Sequence, residues 1–349
     1  MGYFRKNIEW MSGYVPGEQP APDAQVIKLN TNENPYPPSP AVIEMLRTFN
    51  PELLRRYPDP VSKKVRAAVS RVFGIPEDWV LVGNGSDEIL SMLVRACCEP
   101  GRSAAYAMPT YVLYRTLAEL QDAPYVEAAY DEDYNLPVEE LIRADGALTI
   151  VCTPNSPSGT IATVDQLERL ASKLSGILAV DEAYVDFADG DALSLVQKHR
   201  NVIVLRTLSK GYSLAGLRLG FGIARSDLVD GLMKIKDSYN VNALSCLLGA
   251  VAIEDQAYKN ANVARVKASR EKLSASLTGM GFRVWPSQSN FLLTRPPQGD
   301  AERLYQSLKQ EGILIRYFNQ PRLDDKLRIS VGTDEENNVL IQALARLTA

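Results

Sequence analysis

Lys210 stands in the stretch RTLSKGYSLAGLRLGF (206–221), with the hydroxyls of Thr207 and Ser209 before it and the guanidinium of Arg218 eight positions after it. Two hydroxyls and an arginine around one lysine make an anion site, and the lysine is either a solvated charge or an amine able to bond a carbonyl carbon. Three further stretches carry comparable groups. Gly83-Asn84-Gly85-Ser86-Asp87-Glu88 opens onto a helical pattern, so its free amides either receive a phosphate or its glycines serve only a tight turn. Thr153-Pro154-Asn155-Ser156-Pro157-Ser158-Gly159 reads as a rigid surface turn or as a holder for the Asn155 amide. Asp181-Glu182-Ala183-Tyr184 sets a carboxylate at the end of an apolar run, where it needs a facing cation or donor. A structural ion pair or a helix cap would meet that need as well as a ligand.

All four stretches follow or close short apolar runs. Strands are predicted at 79–82, 104–108, 147–152, 177–180, 201–207 and 219–224, while EILSMLVRACC, YVLYRTLAEL and DQLERLASKL between them carry apolar residues at helical spacing. This alternation predicts an α/β layer with a largely parallel sheet, whose ligands bind beyond the carboxyl ends of the strands. Ser39-Pro40 predicts one helix start, and Ser62 opens another helix that closes at Gly74. From Asp255 to about Gly279 one long helix leads out of the sheet. Beyond it FRVW, NFLLT, GILIRYF and LRISVG read as strands, with AERLYQSLKQ and EENNVLIQALARL as helices. The expected division is an irregular, Pro-rich N-terminal arm over 1–38 packing with the small domain, a large α/β domain over 39–255 and a small α+β domain over 256–349.

Gathered at one sheet edge, the four stretches suit a flat aromatic cofactor with a phosphate at one end and a ring nitrogen at the other, as in pyridoxal phosphate. Lys210 would bond its aldehyde, Asp181 would keep its ring nitrogen protonated, and Asn155 with Tyr184 would hold its ring hydroxyl. In their order and spacing, PNSPSG, DEAYVDF and SKGYSLAGLRLGF resemble the fold-type I pyridoxal-phosphate aminotransferases, and within them the histidinol-phosphate aminotransferases. NTNENPYPPSP, RRYPDP, GNGSDEIL, PTYVLY, SNFLL, GILIRYF and LRISVGT extend the likeness over nearly the whole chain.

The resemblance implies that Lys210 is the cofactor-bonding lysine and general base, and that the 39–255 unit is the cofactor domain. It implies that Tyr111 stacks on the ring, while Gly85, Ser86 and Asp87 hold the phosphate by their backbone together with Thr207, Ser209 and Arg218. Tyr57 would reach that phosphate from the other subunit of a homodimer. For the substrate it implies Arg328 at an anionic group next to the reacting carbon, Arg316 at a second anion, and Tyr14 and Asn32 closing over both. Surface salt bridges are the alternative for the two arginines. Ser156 and Ser158 stand where relatives commonly have Asn and Thr, and Gly211-Tyr212-Ser213 replaces a commoner Ala-Phe-Ala type run. The implied reaction is a ping-pong exchange of an amino group between L-glutamate and imidazole acetol phosphate, giving L-histidinol phosphate and 2-oxoglutarate in histidine biosynthesis. Aromatic amino-acid aminotransfer and threonine-phosphate decarboxylation are the rival chemistries.

Composition narrows the alternatives. With 46% apolar residues in 349, the chain can bury a large core, and 38 Lys plus Arg against 42 Asp plus Glu offer no basic stripe for nucleic acid. One histidine, His199, removes histidine triads and multi-histidine metal sites, so no metal is expected. Four scattered cysteines, Cys97, Cys98, Cys152 and Cys246, read as buried free thiols of a reducing, cytoplasmic setting. No apolar stretch is long enough to span a membrane, and no partner beyond small molecules and a second copy of the chain is expected.

Overall fold

The structure is a computed structural model that describes residues 2–13, 17–21 and 24–348. A two-residue strand β1 (Ile27–Lys28) comes first, followed by β2 (Val80–Gly83), β3 (Ala104–Met108), β4 (Tyr125–Ala129), β5 (Leu148–Cys152), β6 (Ile177–Asp181), β7 (Val202–Thr207) and β8 (Gly220–Ala224). The last seven form one sheet in the order β2-β8-β7-β6-β5-β3-β4. The pairs from β4 across to β7 are parallel, whereas β8 runs antiparallel to both of its neighbours, β7 and β2. Strands β5, β7 and β8 are buried along their whole length, and the helices on both faces explain why their apolar runs are continuous rather than alternating.

Register decides the site. Cys152 pairs with Asp181, and Asp181 with Leu205, so the carboxyl ends of β5, β6 and β7 lie side by side. The segments that follow them therefore converge on one edge. The six expected strands are all present with small shifts at their ends, Trp79 falling in a 3-10 turn before β2. Strand β4, YVEAA, was not expected. At the sheet edge it has one neighbour and partly exposed faces, and it carries the charged Glu127 at its middle.

Helix ends follow local chemistry. Ser39 accepts a hydrogen bond from the Ala41 amide and caps the helix Pro40–Arg47. Ser62 precedes the helix Lys63–Phe73 in a left-handed conformation without capping it, and its hydroxyl instead accepts from Cys246 Sγ. The helix Ala243–Glu254 stops at Asp255, whose side chain caps the helix Gln256–Gly279.

Five short strands follow, β9 (Arg283–Val284), β10 (Phe291–Arg295), β11 (Ile313–Leu314), β12 (Arg316–Tyr317) and β13 (Leu327–Ser330). Four make an antiparallel sheet in the order β12-β13-β10-β9, packed with the helices Ala301–Gln310 and Asp334–Thr348. GILIRYF, expected as one strand, breaks at Ile315: β11 pairs in parallel with β1, whereas β12 pairs antiparallel with β13. The arm is less irregular than expected. It supplies β1 and the helix Lys6–Trp10, and Arg5 and Asn7 donate to the carbonyls of Glu119 and Leu120. All four cysteines are buried and free. No helix among the described residues is long and apolar enough to cross a membrane.

Candidate active site

Beyond the carboxyl ends of β5, β6 and β7 opens a cavity of about 640 Å³. Its walls hold Lys210, Asp181, Tyr184, Tyr111, Ser86, Asp87, Thr207, Ser209 and Arg218 from the large sheet, Asn32 from the arm, and Arg316 and Arg328 from the small sheet. Residues from Asn32 to Arg328 thus face one space.

The anion cup sits at one end. Helix Ser86–Cys97 begins after Gly85, which has φ +80°. A Cβ there would lie 2.7 Å from Arg218 Nη2, and one on Gly220 would lie 2.4 Å from the Ser86 amide. Only glycine lets the arginine and the helix start approach this closely. Arg218 donates to Asp87 Oδ2 at 3.0 Å and to Ser209 Oγ at 3.4 Å, and Thr207 Oγ1 donates to Ser209 Oγ at 2.9 Å. Helix amides, two hydroxyls and a guanidinium make a receptor for a phosphate dianion.

Lys210 and Asp181 occupy the floor. Lys210 Nζ donates to the Thr31 carbonyl at 3.2 Å and lies 5.6 Å from the centre of the Tyr184 ring. Burial, with a smaller push from Arg328, brings its amine down to about 8 against the opposing pull of Glu33 and Asp87. At that value about a tenth of the amine is neutral at pH 7, far more than for a solvated lysine, which lets it act as a nucleophile and a base. Asp181 is 3% exposed, and burial pushes its carboxyl up to about 6. It accepts from Tyr114 Oη at 2.6 Å and from the Ala183 amide at 3.2 Å, and among the described residues no cation is bonded to it. This carboxylate therefore suits a cationic ring nitrogen.

Tyr184 is buried, accepts from Asn32 Nδ2 at 3.0 Å and meets Phe291 edge to face. Asn32, with φ +57°, is held in turn by Ser330 and Asn290. Tyr111 hangs over the cavity beside Asp87, 5.8 Å and nearly perpendicular to the Tyr114 ring. Asn155 lies behind the wall between two cis X-Pro bonds. Its amide hydrogens go to Ser158 Oγ at 2.9 Å and the Pro109 carbonyl at 3.3 Å, so a bond to a ring hydroxyl would replace the longer of these.

Arg316 and Arg328 are directly opposite each other on β12 and β13. Like charges facing across a strand pair destabilise a sheet unless an anion joins them, which favours anion recognition over salt bridges. Arg328 donates to Ser156 Oγ and to the Asn30 carbonyl. Tyr57 does not line the cavity. It is 81% exposed and stacks on Tyr239 with ring centres 4.5 Å apart. Tyr14 lies outside the described residues.

Sequence reading gave Tyr114 and Thr31 no role, and marked Ser156 only as a departure from relatives. Tyr114 carried a signal, three residues after Tyr111 on one helical face, but the apolar pattern of YVLYRTLAEL absorbed it.

The sequence matches the family described as Aminotransferase class I and II over residues 24–344. The chain belongs to that family. Histidinol-phosphate aminotransferase 1 of Trichormus variabilis is 61% identical over 345 residues, 99% of this chain and 99% of that protein. The histidinol-phosphate aminotransferase of Geobacter sp. strain M21 is 45% identical over 343 residues, 98% of each chain. A crystal structure of histidinol-phosphate aminotransferase from Sinorhizobium meliloti in complex with pyridoxal-5'-phosphate superposes with a TM-score of 0.91 at 23% identity, covering 100% of this chain and 98% of that one. The aminotransferase fold thus holds across wide sequence divergence, and the cavity residues from Asn32 to Arg328 lie within the matched residues.

Proposed function

We propose that this aminotransferase is a pyridoxal-phosphate enzyme that moves an amino group between L-glutamate and imidazole acetol phosphate, the reaction of a histidinol-phosphate aminotransferase. The observation that carries the reading is a single cavity joining an amine of lowered basicity, Lys210, a buried carboxylate, Asp181, and a glycine-lined anion cup. Full-length identity of 61% to a protein of that name supports the substrate. When bound, the cofactor supplies an electron sink for the pair left at the substrate's α-carbon.

The chain's own groups do the rest. The cup of Ser86, Thr207, Ser209 and Arg218 would anchor the cofactor phosphate, Tyr111 would cover the ring and Tyr184 would donate to its hydroxyl. Asp181 would face the ring nitrogen as a carboxylate. Lys210 would hold the cofactor by its amine at rest, and its freed Nζ would serve as the base for the substrate's α-carbon proton. Arg328 and Arg316 take the substrate anions, a phosphate ester in one half-reaction and the carboxylates of glutamate in the other. One pocket serving both in turn accounts for a ping-pong order. Tyr57, with Leu53 and Leu54 beside it in sequence, marks the face of a homodimer in which it completes the neighbouring site, and the enzyme works in the cytoplasm on small molecules.

The test adds L-histidinol phosphate to the cofactor-loaded protein and follows the visible absorption of the bound cofactor in a single turnover. Loss of the band at substrate concentrations far below those needed for phosphate-free aromatic amino acids is expected. The reverse preference would assign the enzyme to aromatic substrates.

A further inference from the structure

Tyr114 sits in the first turn of the helix Leu113–Leu120, fully buried, and its hydroxyl donates to Asp181 Oδ2 at 2.6 Å. Two aromatic rings, Tyr106 and Tyr111, each meet it edge to face at 5.8 Å, so its ring has one orientation. Burial holds the Tyr114 phenol well above its ordinary value, which keeps it a donor throughout the working pH range. We propose that Tyr114 is a positioning residue that orients Asp181 and keeps it ionised for the cofactor's ring nitrogen.

This rests on the assignment of Asp181 given above. The titratable groups facing Asp181 are Tyr114 from its helix, Cys152 at the end of β5, Tyr184 on the following turn and Asp87 from the helix Ser86–Cys97. Burial raises the carboxyl to about 6 and Asp87 adds to the rise; the Tyr114 hydrogen bond is the strongest influence in the other direction, ahead of the Ala183 amide. Removing the hydroxyl takes from Asp181 Oδ2 its one side-chain donor among the described residues. Asp181 then holds its proton to higher pH, and the carboxylate loses the bond that points its remaining oxygen lone pairs into the cavity.

Tyr114→Phe keeps the ring and its packing. Cofactor affinity of the cofactor-free protein, titrated by fluorescence between pH 6 and 9, reads the effect without turnover. The phosphate and Lys210 titrate alike in variant and wild type, so the ratio of dissociation constants isolates Asp181. Expected is binding weaker by at least about fivefold at pH 6, recovering to within about twofold at pH 9, since a hydrogen bond to a charged group shifts a pKa by about one unit or more. A ratio near one throughout, or a loss of equal size at every pH, would overturn the proposal. Asp181→Asn tests the underlying assignment separately: undiminished affinity in that variant would remove Asp181 from the ring nitrogen whatever Tyr114 does. Should Tyr114→Phe not fold, 3-fluorotyrosine at position 114, a stronger donor of nearly the same size, is expected to move the acid limb of binding to lower pH. An unmoved limb would overturn the proposal equally.

Discussion

Lys210 and Asp181 are both held away from the ionisation they would have in water, for the same leading reason, burial. Lys210→Ala removes a base that no neighbour replaces, so turnover is expected to fall by at least about 10³-fold while the circular dichroism spectrum is unchanged. Turnover within tenfold of wild type would end its assignment. For Asp181 the sign of the pH effect follows from its upward shift. The unfolded chain loses this proton near the ordinary 3.8 and the folded one near 6, so folding is penalised increasingly between those values and fully above 6. Cofactor-free Asp181→Asn is therefore expected to be more stable than cofactor-free wild type at pH 7.5, by about 3 kcal/mol, with the difference gone by pH 3.5. Urea unfolding at the two pH values measures it.

At the scale of elements, the site depends on how closely the helix Ser86–Cys97 approaches β8 and the turn that precedes it. Gly85 and Gly220 make that approach possible, and Arg218, itself at φ +51°, fills the space a side chain on Gly85 would take. Gly85→Ala is expected to weaken cofactor binding by about tenfold or more and to cost about 1–2 kcal/mol in stability, because a left-handed backbone and a displaced guanidinium act together. Equilibrium titration with pyridoxal phosphate, compared with an Ala substitution at exposed Gly216, checks that the loss belongs to the cup. The strand-end stretches were readable in advance because apolar runs stop abruptly at them. The opposition of Arg316 and Arg328 was not: it is set by the hydrogen-bond register of β12 and β13, and no spacing between 316 and 328 reveals it.

For the whole molecule the remaining question is how many chains make one site. Tyr57, Tyr239, Leu53 and Leu54 are 81%, 46%, 46% and 60% exposed, a costly arrangement for a lone subunit. If each cavity takes Tyr57 from a second copy, mixing Tyr57→Ala and Lys210→Ala subunits restores one intact site in each hybrid. Random reassortment is then expected to yield about one quarter of wild-type activity at limiting cofactor. Activity no higher than that of the parents, with subunit exchange demonstrated, would make the site the property of one chain.

We further propose that the large and small units divide at Asp255, where one helix stops and its cap starts the next. Strand and helix positions, the family and the cup residues were legible along the chain, because each is written in local hydrophobic period, glycine placement or motif order. Tertiary structure alone decided three things. The antiparallel course of β8 depends on which edge of the sheet the chain returns to, and the split of GILIRYF depends on two separate partners, β1 and β13, distant in sequence. The Tyr114–Asp181 bond joins residues 67 positions apart, and whether two such polar groups meet or are buried apart is settled by packing between a helix and a strand, which local pattern does not encode.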